Sequence, residues 1–94
     1  MAIAATFRPK GMTLAQFDEI HRRLDAAGEG DNPHRLHHSC TGVDGDLVVY
    51  DVWDSPQSFE AFGGVLMSIL AEVGVDAGQS EVAEVHKLVQ SASD

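Results

Sequence analysis

Two polar side chains on adjacent predicted strands could perform acid–base chemistry. An Asp-Gly pair at residues 44–45 separates two β-rich runs, residues 35–42 and 46–53, and predicts a tight hairpin turn between them. Counting back from this turn places His38 directly opposite Asp51. A carboxylate beside an imidazole favours its protonated form and fixes its tautomer. We therefore predict that His38 is a general base, oriented by Asp51, that acts on an acidic phenol or carbon acid.

The same ladder predicts the neighbours of this pair. It places Cys40 opposite Val49 and Leu36 opposite Trp53, so that Cys40 and Trp53 flank the His38 side chain on one face of the sheet. We predict that both contribute to a substrate-binding site. Two alternatives stay open, because the polar pair could be purely structural and Trp53 could be a core residue. Cys40 has no other nearby base or cation to activate it, so the sequence does not favour a nucleophilic thiol.

Tyr50 and His86 are the remaining candidate substrate-binding residues. Tyr50 is predicted on the face opposite Asp51, and His86 lies in the last predicted strand. In the predicted topology the second and fourth strands lie at opposite edges of the sheet, so His86 and His38 could meet only across a dimer. We therefore predict no metal site. The sequence also contains neither of the common Gly-rich phosphate loops, and we expect no cofactor.

The predicted elements follow the order strand, helix, strand, strand, helix, strand, which is typical of a ferredoxin-like, split β-α-β fold of the α+β class. We expect a four-stranded antiparallel sheet with two helices on one face. It would form a single domain of residues 1–90, followed by a frayed tail at 91–94. A capping-box pattern at 13–16 begins the first helix, and a glycine pair at 63–64 indicates close packing or a kink in the second. The strands are predicted at 2–7, 35–42, 46–53 and 81–89, and the helices at 13–27 and 56–73.

Both faces of the predicted sheet are partly apolar. The third strand carries Val48, Tyr50 and Val52 on one side and Leu47, Val49 and Trp53 on the other. The two helices can cover only one face, and large exposed apolar patches usually mark interfaces. We therefore predict a homodimer in which two sheets pack together into an α/β barrel. The alternative is a monomer with an exposed apolar sheet.

The composition argues against several classes of partner. The formal net charge is −9, from 15 acidic and 6 basic residues, and Arg22-Arg23 is the one adjacent basic pair. Phosphate backbones and anionic membrane surfaces attract clustered cations, so we expect neither nucleic acid nor a membrane as partner. The single cysteine cannot form an intrachain disulfide. The apolar N-terminal stretch is too short for a signal peptide. We predict a cytoplasmic location.

Several stretches resemble one known superfamily. They are residues 11–13, 47–55 (LVVYDVWDS), 59–62 and 85–89. On these stretches the chain is similar to the dimeric α/β-barrel superfamily, near its antibiotic-biosynthesis-monooxygenase-like group. The resemblance implies a ligand between sheet and helices, with Trp53 nearby. Members of this superfamily include cofactor-free monooxygenases that form quinones, haem-degrading enzymes, cyclases, isomerases and proteins without a known activity. The resemblance therefore implies one of these four activities or none. Haem-degrading members carry an axial histidine on the second helix, which this sequence lacks, so haem is not expected.

These observations lead to one functional hypothesis and one alternative. The hypothesis is a homodimer that binds a small, mostly apolar organic molecule, aromatic or polyketide-like. It would act as a cofactor-free monooxygenase, or as a cyclase or isomerase, with His38 as base. The alternative is a non-catalytic binding or stress-related dimer. A cavity of several hundred Å³ beside His38 would favour the hypothesis, and a filled core there would favour the alternative.

Overall fold

One sheet brings the two candidate strands together near its edge. A computed structural model describes residues 1–90, and the tail predicted at 91–94 lies outside them. The described strands form one antiparallel sheet in the order β2-β3-β1-β4. The predicted ferredoxin-like α+β fold is confirmed, with β2 and β4 at opposite edges. The strands are β1 (Ile3–Phe7), β2 (Arg35–Val43), β3 (Asp46–Trp53) and β4 (Glu81–Glu84), and the helices are α1 (Leu14–Ala26) and α2 (Pro56–Val73).

Local sequence signals set the ends of both helices. The Thr13 hydroxyl accepts from the backbone N–H of Gln16 at 3.1 Å, and the Gln16 side chain accepts from the Thr13 N–H at 3.0 Å. This is the predicted capping box of α1. Ser55 caps α2, with Pro56 as its first residue. Gly74 ends α2 in the left-handed conformation, at a φ of 84°.

Helix α2 contains two adjacent glycines, Gly63 and Gly64, and runs without a break from Pro56 to Val73. A Cβ atom added at either glycine would meet no neighbouring atom within 4 Å. Close packing, one of the two explanations predicted for this pair, is therefore wrong. Neither helix of residues 1–90 combines the length and apolar character needed to cross a membrane.

The β2–β3 hairpin has the predicted register over most of its length. The ladder pairs His38 with Asp51 and Cys40 with Val49, as the Asp-Gly turn requires. The tip of the hairpin is held against the start of α1, because Asp44 Oδ1 accepts from the backbone N–H at the first residue of that helix at 2.7 Å. This contact ties the start of α1 to the tip of the hairpin that carries the candidate base.

One predicted pair in this hairpin is wrong. Leu36 does not lie opposite Trp53, because a β-bulge shifts the register between Arg35 and His37. The extra residue lets Arg35 take the place opposite Trp53 instead. The bulge therefore turns a cationic side chain toward the face that carries the candidate base.

The two faces of the sheet differ in composition. The face beneath the helices is apolar and packs into a continuous core, which includes Ile3, Leu47, Val49 and Trp53 from the strands and Ile20, Leu24, Phe62 and Leu70 from the helices. The outer face is mixed, since alternation places on it Ala4, Val48, Tyr50 and Val52 beside Thr6, His37, Ser39 and Thr41. The outer face is therefore less apolar than expected from β3 alone.

The last strand is shorter than predicted. It was expected to span residues 81–89 but ends at Glu84. The segment that follows leaves the ladder after one further hydrogen bond, from the Val85 N–H to the Ala2 carbonyl at 2.9 Å. The side chain of Gln90 donates to the Leu36 carbonyl of β2 at 3.1 Å. Residues 85–90 therefore reach from one edge strand to the other instead of extending β4.

Candidate active site

A buried carboxylate and an imidazole share a short hydrogen bond across the β2–β3 ladder. Asp51 is 3% exposed, and its Oδ1 lies 2.5 Å from Nδ1 of His38. The His38 side chain is partly buried, at 22% exposure. A carboxylate can only accept a hydrogen bond, so Nδ1 of His38 carries the proton. The bond thus fixes the tautomer of His38 and leaves its Nε2 atom for a second partner.

That second partner is His21 on α1, a candidate that the sequence reasoning missed. Its Nε2 atom lies 3.0 Å from Nε2 of His38, and the two ring centroids are 4.9 Å apart. The ring of Phe17 packs 4.4 Å from His21 and stacks 6.0 Å from His38. The sequence spacing does indicate that His21 faces the sheet, because it follows Phe17 by four residues and precedes Leu24 by three on the apolar stripe of α1.

The two imidazoles share one proton. A hydrogen bond between their Nε2 atoms needs one donor and one acceptor. When both rings are neutral, His38 holds its own proton on Nδ1, so Nε2 of His21 is the donor. When His21 takes up a proton at Nδ1, the bridging proton can move to His38, and the positive charge then lies beside Asp51. The Asp51–His38–His21 chain can therefore accept one proton without losing a hydrogen bond.

The surroundings of His21 favour this direction of transfer. Burial lowers the pKa of His21 below its ordinary value of 6.5, and the nearby His38 and Arg35 lower it further. Asp25 and Asp51 act in the opposite direction and are the weaker influences. The neutral form of His21 is therefore the main one at pH 7.

The three side chains line a cavity between the sheet and the helices. Its volume is about 60 Å³, and Arg35 is the other charged residue in its wall. This is smaller than the several hundred Å³ of a typical ligand site, yet the core beside His38 is not filled. At about 10–15 Å³ per water, the cavity has room for roughly four to six water molecules. Most of its lining is apolar and includes Phe7, Phe17, Ile20, Leu24, Phe62 and Leu66.

Trp53 and Cys40 lie on the predicted face but do not line this cavity. Trp53 is 0% exposed, and its ring packs 4.8 Å from Phe62 and 6.2 Å from Phe59. Its indole N–H has no hydrogen-bond partner among residues 1–90. Burial raises the pKa of the Cys40 thiol, and the charge of Asp18 raises it further, so the thiolate is disfavoured. A substrate-binding role for either residue stays a prediction.

Tyr50 and His86 lie away from the cavity. Both line a shallow depression of the outer sheet face, together with Ala4 and Thr6. Tyr50 is 39% exposed, and the ring of His37 packs against its edge at 5.8 Å. His86 follows the end of β4 and is exposed. If these two residues bind a ligand, they do so on the opposite side of the sheet from His38.

Within residues 1–90, no group of three or more His, Cys, Asp or Glu side chains is arranged to hold a metal ion. The polar groups of the cavity wall are instead one carboxylate, two imidazoles and one guanidinium. This set can exchange protons and bind charged or hydrogen-bonding groups of an organic molecule.

Several solved structures share this architecture. SnoaB, a cofactor-independent oxygenase from Streptomyces nogalater, matches with a TM-score of 0.62 and 14% identity, over 96% of each chain. A candidate antibiotic biosynthesis monooxygenase from Caulobacter crescentus matches with a TM-score of 0.58 and 19% identity, over 94% of this chain and 89% of that one. A further candidate of that kind, from Chloroflexus aurantiacus, matches with a TM-score of 0.56 and 18% identity, over 95% of each chain.

No protein-family model matches the sequence, and no curated protein sequence is significantly similar to it. At identities below one fifth, the structural matches establish the fold but not the chemistry. The resemblance inferred from the sequence is thereby confirmed as a likeness of structure. The chain has the ferredoxin-like fold found in antibiotic biosynthesis monooxygenase structures.

Proposed function

We propose that the protein is a homodimeric enzyme that removes a proton from a small aromatic or enolisable molecule. His38 would be the base and Asp51 the group that orients it. The resulting anion would react directly with oxygen, as in a cofactor-free monooxygenase, or would be reprotonated elsewhere, as in an isomerase or cyclase. The observation that carries the proposal is the 2.5 Å bond between His38 and a buried carboxylate at the wall of an apolar cavity.

The arrangement supports proton removal on physical grounds. Asp51 holds His38 in one tautomer and stabilises the imidazolium that forms when a proton arrives. His21 extends the chain: because Nδ1 and Nε2 of His38 are both hydrogen-bonded, the substrate proton would reach His38 through the His21 ring. The fold likeness to a cofactor-independent oxygenase makes oxygen a reasonable second reactant, although the low identity carries only the fold.

The cavity limits the size of the substrate. Roughly four to six waters correspond to about 120–180 Å³ of liquid, at about 30 Å³ each. This matches one aromatic ring with small substituents, whereas a polyketide of several fused rings would need a larger opening than the cavity provides. We therefore place the preferred substrate at the small end of the aromatic class.

A dimer would cover the outer face of the sheet. Tyr50 is the large apolar residue exposed on that face, and the segment beyond β4 adds Leu88 and Val89, which are 39% and 76% exposed. Tyr50→Glu would place a charge in the middle of such an interface. We expect the native chain to elute as a dimer and the variant as a monomer in size-exclusion chromatography with light scattering. A native monomer at micromolar concentration would contradict the assembly.

The competing proposal is a non-catalytic binding or stress-related dimer. The cavity is smaller than a typical ligand site, which favours this proposal. A purely structural Asp–His pair would also lie in a partly enclosed site. The cytoplasm remains the expected location under either proposal. The two proposals differ in one respect that can be measured, namely whether removal of His38 changes a reaction rate.

The test compares His38→Gln with His34→Gln, a matched control on an exposed loop. Single-ring phenols with a free para position are supplied with oxygen, and quinone formation and oxygen uptake are recorded. One oxygen atom of O₂ is added to the ring and the other leaves as water. Anaerobic deuterium exchange from 2-indanone in D₂O reports proton removal without oxygen.

The enzymatic proposal predicts turnover by the native chain and by His34→Gln, and at least a hundredfold loss in His38→Gln. Exchange without oxygen uptake would assign the isomerase or cyclase branch. Equal rates in native and His38→Gln protein would remove His38 from the mechanism. Absence of both reactions across the panel would favour the non-catalytic dimer.

A further inference from the structure

The β-bulge in β2 has a consequence for the ligand. Bulges re-aim side chains and are common beside active sites. Here the bulge removes Leu36 from the inner face and places Arg35 there, opposite Trp53. Without the extra residue, an apolar side chain would occupy this part of the wall. The hairpin therefore gives up a favourable apolar contact to bring a permanent cation to the cavity.

The Arg35 guanidinium is held in place but is not neutralised. Its central carbon lies 5.4 Å from the ring centroid of Phe62 and 5.9 Å from that of Trp53, which fixes the side chain by cation–π contact. One nitrogen donates to the Gly30 carbonyl at 3.3 Å. No carboxylate of residues 1–90 lies within 4 Å of the guanidinium. The bond to Gly30 is the one hydrogen bond described for this side chain within residues 1–90, so its other donors have no protein partner there.

We propose that Arg35 binds the anionic oxygen of a small, single-ring aromatic ligand, a carboxylate or phenolate, whose ring lies in the cavity beside His38. This inference rests on the proposed function for the site and names its substrate class. A guanidinium recognises a carboxylate through two parallel hydrogen bonds, or a phenolate through one charge-assisted bond. The aromatic rings of Phe17 and Phe62 in the wall are suited to an aryl group.

The charges of the cavity agree with this assignment. Its wall contains one carboxylate, Asp51, which already accepts from His38. A second anion would therefore be directed to Arg35, the remaining cation of the wall. A neutral ligand of the same shape would leave the guanidinium donors unsatisfied as water is displaced, and should bind more weakly.

The test uses benzoate and benzamide, which have nearly the same shape but differ in charge. Titration calorimetry with the full chain should give at least tenfold tighter binding for benzoate. Arg35→Met keeps much of the apolar stem while removing the charge, and should weaken benzoate binding at least tenfold. Arg35→Lys should be intermediate, because it retains charge but not the planar fork. Arg22→Met, on the exposed side of α1, is the control and should bind like the native chain.

Three results would overturn the inference: equal affinity for benzoate and benzamide, binding by Arg35→Met within twofold of the native chain, or no benzoate binding at 20 mM. If Arg35→Met does not fold, the benzoate-to-benzamide ratio of the native chain decides. Benzoate binding by the native chain without any proton-removal activity would sink the proposed function alone, whereas turnover of neutral ligands by Arg35→Met would sink this inference alone.

Discussion

Removal of the Asp51 carboxylate should destabilise the domain measurably. Asp51 is 3% exposed, and its described hydrogen bond is the one to His38. Asp51→Ala leaves the Nδ1 donor of His38 without a partner. Hydrogen bonds to charged groups contribute about 1.5–3 kcal/mol, and loss of a fully buried pair costs about 3–5 kcal/mol. Because the His38 side chain still reaches water at 22% exposure, we expect a loss of about 2–3 kcal/mol at pH 7.

The assay is urea unfolding followed by tryptophan fluorescence. Trp53 is the single tryptophan and is fully buried, so its emission reports global unfolding. The corresponding fall in melting temperature is about 8–24 °C, at roughly 4–8 °C per kcal/mol for a domain of this size. Asp51→Asn serves as the matched variant, because it keeps an oxygen acceptor for His38 and removes the charge alone. All variants must be compared at one protein concentration, since dimerisation would add to the apparent stability.

A double-mutant cycle isolates the pair from other effects of truncation. We expect Asp51→Ala and His38→Ala to be non-additive, with a coupling free energy of about 1.5–3 kcal/mol. If the two single changes instead add to within about 0.5 kcal/mol of the double change, the two side chains act independently. That result would refute the interpretation of His38 and Asp51 as one proton-holding unit, even though their Nδ1 and Oδ1 atoms lie close together.

Three further predictions concern single residues. Burial, with His38 and Arg35, lowers the pKa of His21 below 6.5, so the unfolded chain takes up a proton as the pH falls through that value while the folded chain does not. Stability should therefore fall below about pH 6.5, by up to about 1.4 kcal/mol per pH unit, and His21→Gln should flatten this slope in urea unfolding at several pH values. An unchanged slope would refute it. Gly64→Ala should raise the free energy of unfolding by about 0.5–1 kcal/mol, since an added Cβ meets open space in a helix interior; a loss of stability would show hidden crowding. Gly42→Ala should lower the melting temperature by several degrees, because Gly42 has a φ of 109° and a Cβ there would lie 2.3 Å from the Asp46 carbonyl oxygen; an unchanged melting temperature would contradict this.

The sequence was sufficient where local chemistry decides the structure. The Asp-Gly turn sets a register that counts outward by twos, so the pairing of His38 with Asp51 followed directly. The capping residues Thr13 and Ser55 fixed the starts of both helices in the same way. These features depend on residues close to one another in the chain, and propensity and hydrogen-bond geometry determine them.

The sequence was insufficient where distant contacts decide the structure. Leu36, the extra residue of the bulge, gives no local signal of it, since it is neither a glycine nor a residue with a positive φ. The early end of β4 has a similar origin, since residues 85–90 follow contacts with Ala2 and Leu36 that lie far away in sequence. His21 lies among the apolar positions of α1, and its contact with His38 depends on how α1 packs on the sheet, which no pattern within the helix predicts.

The ionisable side chains that α1, β2 and β3 place in the cavity wall give the cavity a charge balance suited to the proposed reaction. With both imidazoles neutral, the Arg35 cation and the Asp51 anion sum to zero. A neutral phenol that gives up its proton inside the cavity becomes the phenolate that Arg35 is proposed to bind and leaves one positive charge on the imidazole pair, so the sum remains zero. Each product charge then faces an opposite one: the anion faces Arg35, and the imidazolium faces Asp51. Charge separation in an apolar cavity is costly unless both charges are matched. The bulge and the second histidine, which the sequence did not predict, are therefore the two features that make proton transfer at this site electrostatically reasonable.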